Sequence, residues 1–523
     1  MASRSVTRGV RRGKGMASMQ KRLSRVSALQ DVMAGTRAGP SNGQGRAGTQ
    51  RRLARALAAR RGGNGHGNPG QDRCAAVVGG GYVGLALTAY LVTKGRSVLL
   101  VEADPERRQA LTRGEMPIYE AGVDSVLARA LREAALVVTG DLGHALDATR
   151  MVFITVGTPS AADDHPDLTA VTSVVSELRA HAKPGTVVVL KSTVPPGTGR
   201  RIQEQLQGPP FRLPVVSCPE FLREGSALRD MHTAARHVIG GDDSEAMARV
   251  AAVVAAPRTP VIMTDSASAE LIKYGSNSFL ALKISFANEL ARFADQVGAD
   301  IVPVVEGMGL DPRIGAEGLR AGLGFGGCCL PKDVRALVGA AGRHDTGFGT
   351  LEAALQVNAA QRALFAEKIR RELGGTLNGR RVAVLGLAFK PGTDDVREAP
   401  SLDVIRYLLG HGAEVTAHDP CAIGKAAPLL PLDVRLTPDP YDCLSGADAA
   451  AIVTEWPEYV QLDWDRARQV MRHPLLVDGR NCLDPGEIAR LGFRYRSLGR
   501  PPTQGDCSTH RPQSSPPARV APT

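Results

Sequence analysis

A glycine-rich segment, GLGFGGCCLPKD (322–333), contains the adjacent cysteines Cys328 and Cys329, followed closely by Lys332 and Asp333. Free cysteines are usually buried packing residues. A cysteine in a loop of this composition beside a lysine is better suited to thiolate chemistry. The segment therefore predicts a nucleophilic cysteine held in a loop, because the interior of a helix or strand would not contain so many glycines.

Two pairs of polar residues have spacings that could assist such a nucleophile. Lys273 and Asn277 lie four apart in AELIKYGSNSFLALKISFANEL (269–290), and on a helix they would share one face. A cation beside an amide suits a developing oxyanion, although a polar stripe on a long helix is the alternative interpretation. Glu220 and Glu224 are also four apart and would share a helix face as paired carboxylates, unless they only begin an ordinary solvated helix.

The segment GGGYVG (79–84) follows an apolar strand and opens a helix, as a dinucleotide-binding turn does. Gly79 permits the tight turn, Gly81 lets a pyrophosphate approach the backbone, and Gly84 lets the helix pack against the sheet. Glu102 ends the next strand, 23 residues after Gly79, where a carboxylate accepts the ribose hydroxyls of NAD and repels the extra phosphate of NADP. This context favours an NAD site over a plain glycine turn with a surface glutamate.

Two threonines follow later apolar strands, Thr158 in TVGTP (155–159) and Thr193 in KSTVPPGTG (191–199). The ligand crevice of a parallel sheet lies at the carboxyl ends of its strands. Both threonines are therefore candidates to contact the cofactor or a water molecule, with a turn-forming or helix-capping role as the alternative.

Apolar strands that alternate with helices must position these residues, and such alternation is typical of a parallel sheet covered on both faces. The predicted strands lie at 74–78, 97–102, 151–156, 186–192, 214–218, 381–389, 414–419, 450–454 and 475–480. A helical stretch, Ser268 to Val297, separates the two series of strands. The sequence predicts the α/β class, with two Rossmann-like doubly wound domains joined by a long central helix. The expected domains are a cofactor domain at 72–264, a central helical domain with the cysteine loop at 265–362, and a second Rossmann-like domain at 363–500.

The basic residues are concentrated at one end of the 523-residue chain, which is long enough for two or three domains. Residues 1–71 contain 15 Lys or Arg and one acid, Asp31, which gives this segment a net charge of +14. Because the whole chain has a net charge of +11, the other residues together carry −3. We interpret 1–71 as a disordered basic extension and 501–523 as a disordered tail. The alternatives for the extension are a start codon assigned too far upstream and a targeting or anion-binding segment.

Composition also argues against several classes of protein. The sequence has no run of eighteen apolar residues and so predicts no membrane span. The eight cysteines are scattered without CxxC or His-rich spacing, which fits a reducing, cytoplasmic compartment and predicts neither a disulfide framework nor a metal site. A nucleic-acid partner is expected for the basic extension at most, because the remaining chain does not interleave aromatic and basic residues.

From about Cys74 to Leu498 the sequence resembles the UDP-glucose/GDP-mannose dehydrogenase family. Besides the dinucleotide turn and the cysteine loop, the shared segments are RGEMPIYEAG (113–122), CPEFLREG (218–225), GLAFKPGTDDVREAPSLDVI (386–405), TEW (454–456) and DGRN (478–481). Members oxidise the C6 alcohol of a nucleotide sugar to an acid in two hydride transfers to NAD. The resemblance therefore implies a four-electron, NAD-dependent enzyme that forms a homodimer or a higher homo-oligomer.

The resemblance also implies catalytic roles. Cys329 would attack the intermediate aldehyde to give a thiohemiacetal, and the second hydride transfer would turn this into a thioester that water hydrolyses. The other roles implied are Lys273 and Asn277 for the oxyanions, Asp333 to orient water or Lys273, Glu220 as the base for hydrolysis through a water that Thr193 also holds, and Glu224 as a second contributor.

Two sets of binding residues follow from the same resemblance. The implied cofactor contacts are Gly79, Gly81, Tyr82, Val83, Gly84, Glu102, Arg107, Thr158, Thr193, Glu224, Lys332 and Arg397. The implied substrate contacts are Glu220, Phe221, Leu222, Lys273, Asn277, Phe325, Gly326, Phe389, Lys390, Arg480 and, reaching the neighbouring subunit's substrate, Arg313. The central domain would form the dimer, and the second Rossmann-like domain would bind the UDP-sugar.

The identity of the sugar leaves alternatives open. The segments GMGLDPRIGAEGLRAGLGFGG (307–327) and ALKISFANEL (281–290) look most like the UDP-glucose branch, whereas the GDP-mannose and UDP-N-acetylhexosamine branches share most motifs. A non-catalytic nucleotide-sugar-binding protein is the alternative of another class. The retention of the whole catalytic set argues against it.

Two positions depart from the family pattern. Cys328 stands where the family usually has Ser, and adjacent thiols could close to a vicinal disulfide that blocks Cys329. Ala234 and Ala235 stand where the family commonly has Pro and Asp, so the local geometry is expected to differ there, although Arg236 is kept.

Overall fold

The computed structural model describes residues 74–161, 164–208 and 212–503. The predicted basic extension (1–71) and the predicted tail beyond residue 503 lie outside the described residues. Within these ranges the chain forms two sheets, and helices pack on both faces of the first of them. The predicted α/β class with two Rossmann-like domains is confirmed.

The first sheet has the order β3-β2-β1-β4-β5-β6-β7-β8, and its pairs are parallel except that β7 runs antiparallel to β6. Its strands are β1 (Cys74–Val78), β2 (Ser97–Val101), β3 (Leu136–Thr139), β4 (Met151–Ile154), β5 (Val187–Leu190), β6 (Val215–Ser217), β7 (His237–Gly240) and β8 (Val261–Thr264). Val77 packs into one core cluster, while Ala76 and Val78 pack into the cluster on the other face. Because both faces are covered, the inner strands are apolar throughout.

The helices of this part are α1 (Tyr82–Thr93), α2 (Pro105–Arg113), α3 (Val123–Arg132), α4 (Leu142–Ala148), α5 (Thr169–His181), α6 (Thr198–Gln205), α7 (Ala227–His232) and α8 (Ser244–Val254). The central region follows with α9 (Ser266–Val297), α10 (Ile301–Gly309), α11 (Leu330–Gly342) and α12 (Gly349–Glu372). The predicted central helix is α9, which has 32 residues. Asp265 caps its start by accepting the backbone N–H of Ser268, and Gly298 ends it at φ 75°.

The second sheet is parallel and has the order β11-β10-β9-β12-β13-β14. Its strands are β9 (Arg381–Leu385), β10 (Glu414–His418), β11 (Arg435–Leu436), β12 (Ala449–Ile452), β13 (Leu475–Asp478) and β14 (Arg494–Ser497). Its helices are α13 (Pro400–Gly410), α14 (Ile423–Ala426), α15 (Pro440–Leu444), α16 (Pro457–Val460), α17 (Trp464–Val470) and α18 (Pro485–Arg490), with a 3-10 turn at Ala427–Leu429. Six strands of each sheet thus share one topology. The strand order reverses beside the first strand of each set, and a ligand crevice forms at that point.

None of the helices in the described ranges combines the length and the apolar character that a bilayer-spanning segment requires.

Candidate active site

The cysteine loop lies between the central helices and the second sheet. Cys329 is exposed and stands immediately before α11, at the helix end that favours negative charge. A Cβ atom on Gly327 (φ 78°) would come within 2.8 Å of the Phe389 ring. A Cβ atom on Gly326 would collide with the carbonyl of Glu398. The glycines that marked this segment therefore let the loop after β9 pack directly against the cysteines.

Lys273 and Glu220 form a buried ion pair close to this loop. Lys273 lies on α9, and its Nζ donates a hydrogen bond of 2.9 Å to Glu220 Oε1. Burial opposes the charge on Lys273, but the charge of Glu220, and then that of Cys329, outweighs burial and raises the pKa of Lys273. Burial likewise opposes the charge on Glu220, but Lys273 and the N–H of Leu222 lower the pKa of Glu220. The pair therefore stays ionised, with the ammonium held near Cys329.

Asn277 lies one turn along α9 from Lys273, and its side chain is also buried. Asn277 Nδ2 donates to Asp333 Oδ2 over 2.6 Å, and Lys332 Nζ donates to Asp333 Oδ1 over 2.7 Å. Asp333 belongs to the first turn of α11, so it joins the cysteine loop to α9. This network fixes the amide of Asn277 in one orientation.

The prediction that Glu220 and Glu224 share a helix face is wrong. Both residues lie in the irregular segment between β6 and α7, and α7 begins only at Ala227. The reason is local: Glu220 Oε2 accepts the N–H of Leu222 over 2.6 Å, and Gly225 adopts φ 79°. These features are incompatible with a continuous helix, so the two carboxylates point to different partners.

Glu224 faces the other cysteine and the second sheet. Its Oε1 accepts a hydrogen bond of 3.4 Å from the Sγ of Cys328, and its Oε2 accepts one of 3.2 Å from Thr393 Oγ1. The guanidinium of Arg397 lies 3.7 Å from the same carboxylate. Burial, and then the charge of Asp395, raises the pKa of Glu224 to about 7. Glu224 can therefore take up or release a proton near neutral pH.

The two thiols touch without being bonded. The Sγ atoms of Cys328 and Cys329 are 3.4 Å apart, whereas a disulfide requires about 2.05 Å. The vicinal disulfide suggested by the sequence is therefore not formed in this structure, in which both residues are free thiols.

The turn after β1 fits a dinucleotide. Gly79 adopts φ 107°, and a Cβ atom on Gly84 would collide with the carbonyl of Gly79. No side chain of the described residues caps the start of α1 at Gly81, which leaves the first turn to bind an anion. Glu102 is buried at the end of β2, where it accepts N–H groups of Gly80 and Asp104, each over 2.9 Å. Val83 lies in the same turn, half-buried. The donor set and the glycine cradle suit the pyrophosphate and ribose of NAD.

Three other predicted cofactor residues surround this turn. Arg107 is half-exposed, with its guanidinium 3.8 Å from Glu102. The hydroxyl of Tyr82 donates to Asp394 over 2.7 Å and accepts from Lys425 Nζ over 3.2 Å. Arg397 lies 5.7 Å from the centre of the Tyr82 ring. The start of α1 is thereby bridged to the loop after β9 and to α14.

The predicted substrate residues of the second sheet also lie around the cysteine loop. The guanidinium of Arg480 donates to the carbonyls of Val453 (2.6 Å) and Phe389 (3.2 Å). Lys390 Nζ donates to the carbonyl of Glu224, and Phe325 is buried in the loop itself. Arg313 differs from these residues, because its side chain is 87% exposed and paired with Asp311.

Two cavities adjoin the Lys273–Glu220 pair. Thr193 and Lys273 line one of them, and Thr158 Oγ1 donates to the Thr193 carbonyl over 2.8 Å. The other cavity has a volume of about 250 Å³. Residues that line it include Glu220, Phe221, Leu222, Ala234, Ala235 and Arg236. The guanidinium of Arg236 stacks on the ring of Phe221 at 3.9 Å, and both alanines noted in the sequence line the same cavity.

Sequence reasoning missed several residues that hold this site together. Thr393 binds Glu224, Asp394 and Lys425 bind Tyr82, and Glu120 accepts the N–H groups of Gly225 and Ala227. Their partners lie more than 100 residues away along the chain. The one available signal was the position of the KPGTDD segment directly after a strand, at the edge where ligand crevices form.

The chain matches three consecutive domains of one family. Its residues 73–256 match the NAD binding domain of the UDP-glucose/GDP-mannose dehydrogenase family, residues 267–360 the central domain, and residues 383–485 the UDP binding domain.

Individual proteins agree with this match. A UDP-glucose 6-dehydrogenase of Rhizobium meliloti is 42% identical, over 81% of this chain and 99% of the relative. A UDP-glucose 6-dehydrogenase of Pseudomonas aeruginosa is 44% identical, over 81% and 97%. A solved UDP-glucose dehydrogenase from Pyrobaculum islandicum is 38% identical, with a TM-score of 0.76, and covers 84% of this chain and 100% of that one. A UDP-D-ManNAc dehydrogenase from Pyrococcus horikoshii is 27% identical, with a TM-score of 0.72, over 82% and 99%.

These matches extend along most of the described residues and include the glycine turn, α9 and the cysteine loop. The chain belongs to the UDP-glucose/GDP-mannose dehydrogenase family.

Proposed function

We propose that this protein is a cytoplasmic, NAD-dependent dehydrogenase that oxidises UDP-glucose at C6 to UDP-glucuronate. The observation that carries the proposal is the cluster around Cys329, where an exposed thiol, the Lys273 ammonium and the Asn277 amide converge. NAD-binding and UDP-binding domains flank this cluster in sequence. The relatives named UDP-glucose 6-dehydrogenase support glucose as the sugar, and free thiols support a reducing compartment.

The residues act on the sugar in a defined order. Lys273 and Asn277 would stabilise the negative charge that develops on the C6 oxygen as its hydroxyl proton passes to water. NAD, when bound at the start of α1, would supply the hydride acceptor. The aldehyde that results has no oxyanion to expel a second hydride. When the sulfur of Cys329 adds to the carbonyl, the carbonyl oxygen becomes that oxyanion. Loss of the second hydride then converts the thiohemiacetal to a thioester.

Hydrolysis of the thioester needs a base for the attacking water. Glu220 is paired with Lys273 and its pKa is lowered, which makes it a weak base. The pKa of Glu224 is about 7, and its carboxylate contacts the neighbouring thiol of Cys328. We therefore assign Glu220 to holding Lys273, with water positioned near Thr193, and Glu224 to accepting the proton released in hydrolysis.

A stoichiometric assay tests the proposed function. Purified protein with UDP-glucose and excess NAD is expected to form two NADH for each UDP-glucose consumed, followed by absorbance and by chromatography of the product. GDP-mannose and UDP-N-acetylglucosamine serve as comparison substrates. A higher kcat/KM with either of them would refute glucose, and no NADH with any nucleotide sugar would refute the enzyme.

Replacement of Glu102 by Ala tests the cofactor site. We expect the KM for NAD to rise by roughly 10- to 100-fold, because a hydrogen-bonded carboxylate contributes about 1.5–3 kcal/mol. The same change should narrow the preference for NAD over NADP, since the repelling charge is gone. Initial rates with each cofactor measure both effects. Glu106→Ala, an exposed acid on the neighbouring helix α2, is the control and should leave both constants unchanged.

We also propose that two copies associate through α9. Phe279, Phe286 and Phe293 lie seven residues apart on this helix and are 61%, 47% and 64% exposed. Residues at this spacing share one helix face, and a row of exposed aromatic rings marks an interaction surface. A two-fold axis across this face would pair the row with itself. The exposed Arg313 follows α10 in the same region, consistent with a role in the neighbouring subunit's site.

The double variant Phe286→Arg/Phe293→Arg is expected to convert this dimer to monomers, because four buried charges of one sign would face each other across the axis. Light scattering after size-exclusion chromatography measures the mass. Glu177→Arg, on the exposed face of α5, is the control for added charge and should keep the mass of the unaltered protein. A wild-type monomer at micromolar concentration would contradict the proposal.

A further inference from the structure

Three potential metal ligands meet beside the nucleophile. The Sγ atoms of Cys328 and Cys329 and a carboxylate oxygen of Glu224 all lie within 4.8 Å of one another. The two sulfurs are 3.4 Å apart, and the Cys328 sulfur is 3.4 Å from Glu224 Oε1. We propose that these three residues form a binding site for one thiophilic divalent cation of the zinc class.

The distances match the edges of a zinc coordination shell. Zinc binds sulfur at about 2.3 Å and carboxylate oxygen at about 2.1 Å with tetrahedral geometry. Such a tetrahedron has a sulfur–sulfur edge of about 3.8 Å and a sulfur–oxygen edge of about 3.6 Å. The three side chains need to separate by only a few tenths of an ångström to hold the ion. A disulfide instead requires the sulfurs to close to about 2.05 Å, which is a larger movement.

The chemistry of the ligands selects the cation. Two thiolates and one carboxylate favour zinc or cadmium over magnesium and calcium, which prefer an all-oxygen shell. The ion would reduce the charge of three anionic ligands from −3 to −1. The cations that already face this cluster are the Arg397 guanidinium, 3.7 Å from Glu224, and Lys273, whose pKa is raised in part by the charge of Cys329. The contact with Cys329, and then burial, raises the pKa of the Cys328 thiol, so the cation must displace that proton when it binds.

The site is accessible and its ligands are oriented. Cys329 is exposed, so a cation can enter from solvent and a water molecule can complete the fourth position. The Glu224 side chain is only 13% exposed, and Thr393 holds its second oxygen. Hydrogen bonds of this kind orient ligating carboxylates. Cys328 is the decisive residue, because without it only one thiol remains.

Occupancy of this site would remove the electron pair with which Cys329 attacks the aldehyde. The cation would therefore act as a reversible inhibitor of the proposed function. Binding itself needs neither substrate nor cofactor, so it can be measured separately from catalysis.

Cadmium titration of the full-length protein tests the binding. Protein reduced with a phosphine is titrated anaerobically with Cd²⁺, and the cadmium–thiolate charge-transfer absorbance is followed. We expect one Cd²⁺ per chain with a two-thiolate band. Cys328→Ser should halve the band and weaken binding by at least about 100-fold, and Glu224→Gln should weaken binding while leaving the band. Cys421→Ser, a half-buried thiol outside the cluster, should behave as the unaltered protein.

Some outcomes would overturn the site. Equal Cd²⁺ affinity in Cys328→Ser and the unaltered protein would do so, as would loss of the band in Cys421→Ser. Thermal unfolding of each variant separates loss of a ligand from loss of the fold. An inactive protein that binds Cd²⁺ as described would refute the proposed function and leave the metal site intact.

Zinc inhibition distinguishes the metal site from oxidation. We expect NADH formation to stop on addition of Zn²⁺ and to recover fully with a chelator alone. Inhibition that a phosphine reductant reverses and a chelator does not would mean that dissolved dioxygen had oxidised the two thiols to a disulfide, and would overturn the metal assignment.

Discussion

Replacement of Cys329 by Ala is expected to lower the formation of UDP-glucuronate by about 10⁴-fold or more, the usual loss when a covalent nucleophile is removed. The aldehyde would then depend on hydration by water to gain the oxyanion that expels the second hydride. The first oxidation does not use the thiol, so a slow formation of one NADH per sugar should remain. Single-turnover measurements of NADH, with chromatography for the aldehyde and the acid, separate the two steps.

The control for this variant is Cys421→Ala, which removes a half-buried thiol from the segment between β10 and α14. It should retain the rates of the unaltered protein for both steps. If Cys329→Ala still released two NADH per sugar at a rate within tenfold of normal, the thioester route would be refuted.

Replacement of Lys273 by Met should damage both stability and catalysis. The variant leaves Glu220 buried and unpaired, which costs about 3–5 kcal/mol of unfolding free energy. It also removes a donor to the oxyanion, which lowers kcat by about 10²–10³-fold. Denaturant titration measures the first effect and steady-state rates the second. A stable, fully active Lys273→Met protein would contradict the assignment of this ion pair.

The double variant Lys273→Met/Glu220→Gln separates these effects. Removal of both charges should restore much of the stability, because no unpaired ion remains buried, whereas kcat should stay low.

The contribution of Glu220 to stability should depend on pH in one direction. The folded state lowers the pKa of Glu220, so its stabilisation is present above the ordinary carboxyl pKa and is lost as the pH falls through the lowered value. Glu220→Gln should therefore lose less stability on acidification than the unaltered protein.

Most of the strands were predictable because burial leaves a continuous apolar run in the sequence. Each predicted strand overlaps an observed one, and α9 begins two residues before its predicted start. The strands that were missed are β3, β7, β8, β11 and β14. In β8 the side chains of Ile262 and Met263 are 41% and 52% exposed at the edge of the sheet. β11 has two residues. Four of the five missed strands are edge strands, and those that are short or half-exposed do not differ enough from loops in sequence.

The site was predictable only where local spacing determines position. Lys273 and Asn277 follow from the helical period, and the glycine turn follows from its place after β1. The relation between Glu220 and Glu224 was misjudged because the same spacing has no meaning in a loop. Thr393 and Lys425 were missed because local spacing does not indicate partners more than 100 residues away along the chain.

The bridge formed by Tyr82, Asp394 and Lys425 has a consequence for the timing of turnover. Each NAD accepts one hydride, yet the conversion of an alcohol to an acid releases two. Cofactor exchange must therefore occur midway through every cycle, while the half-oxidised sugar stays in place. The bridge joins the first turn of α1 to the second Rossmann-like domain, so we expect the rate of cofactor exchange to depend on how readily the bridge opens. Its strength sets a compromise between fast exchange, which a weak bridge favours, and retention of the reactive aldehyde, which a strong one favours.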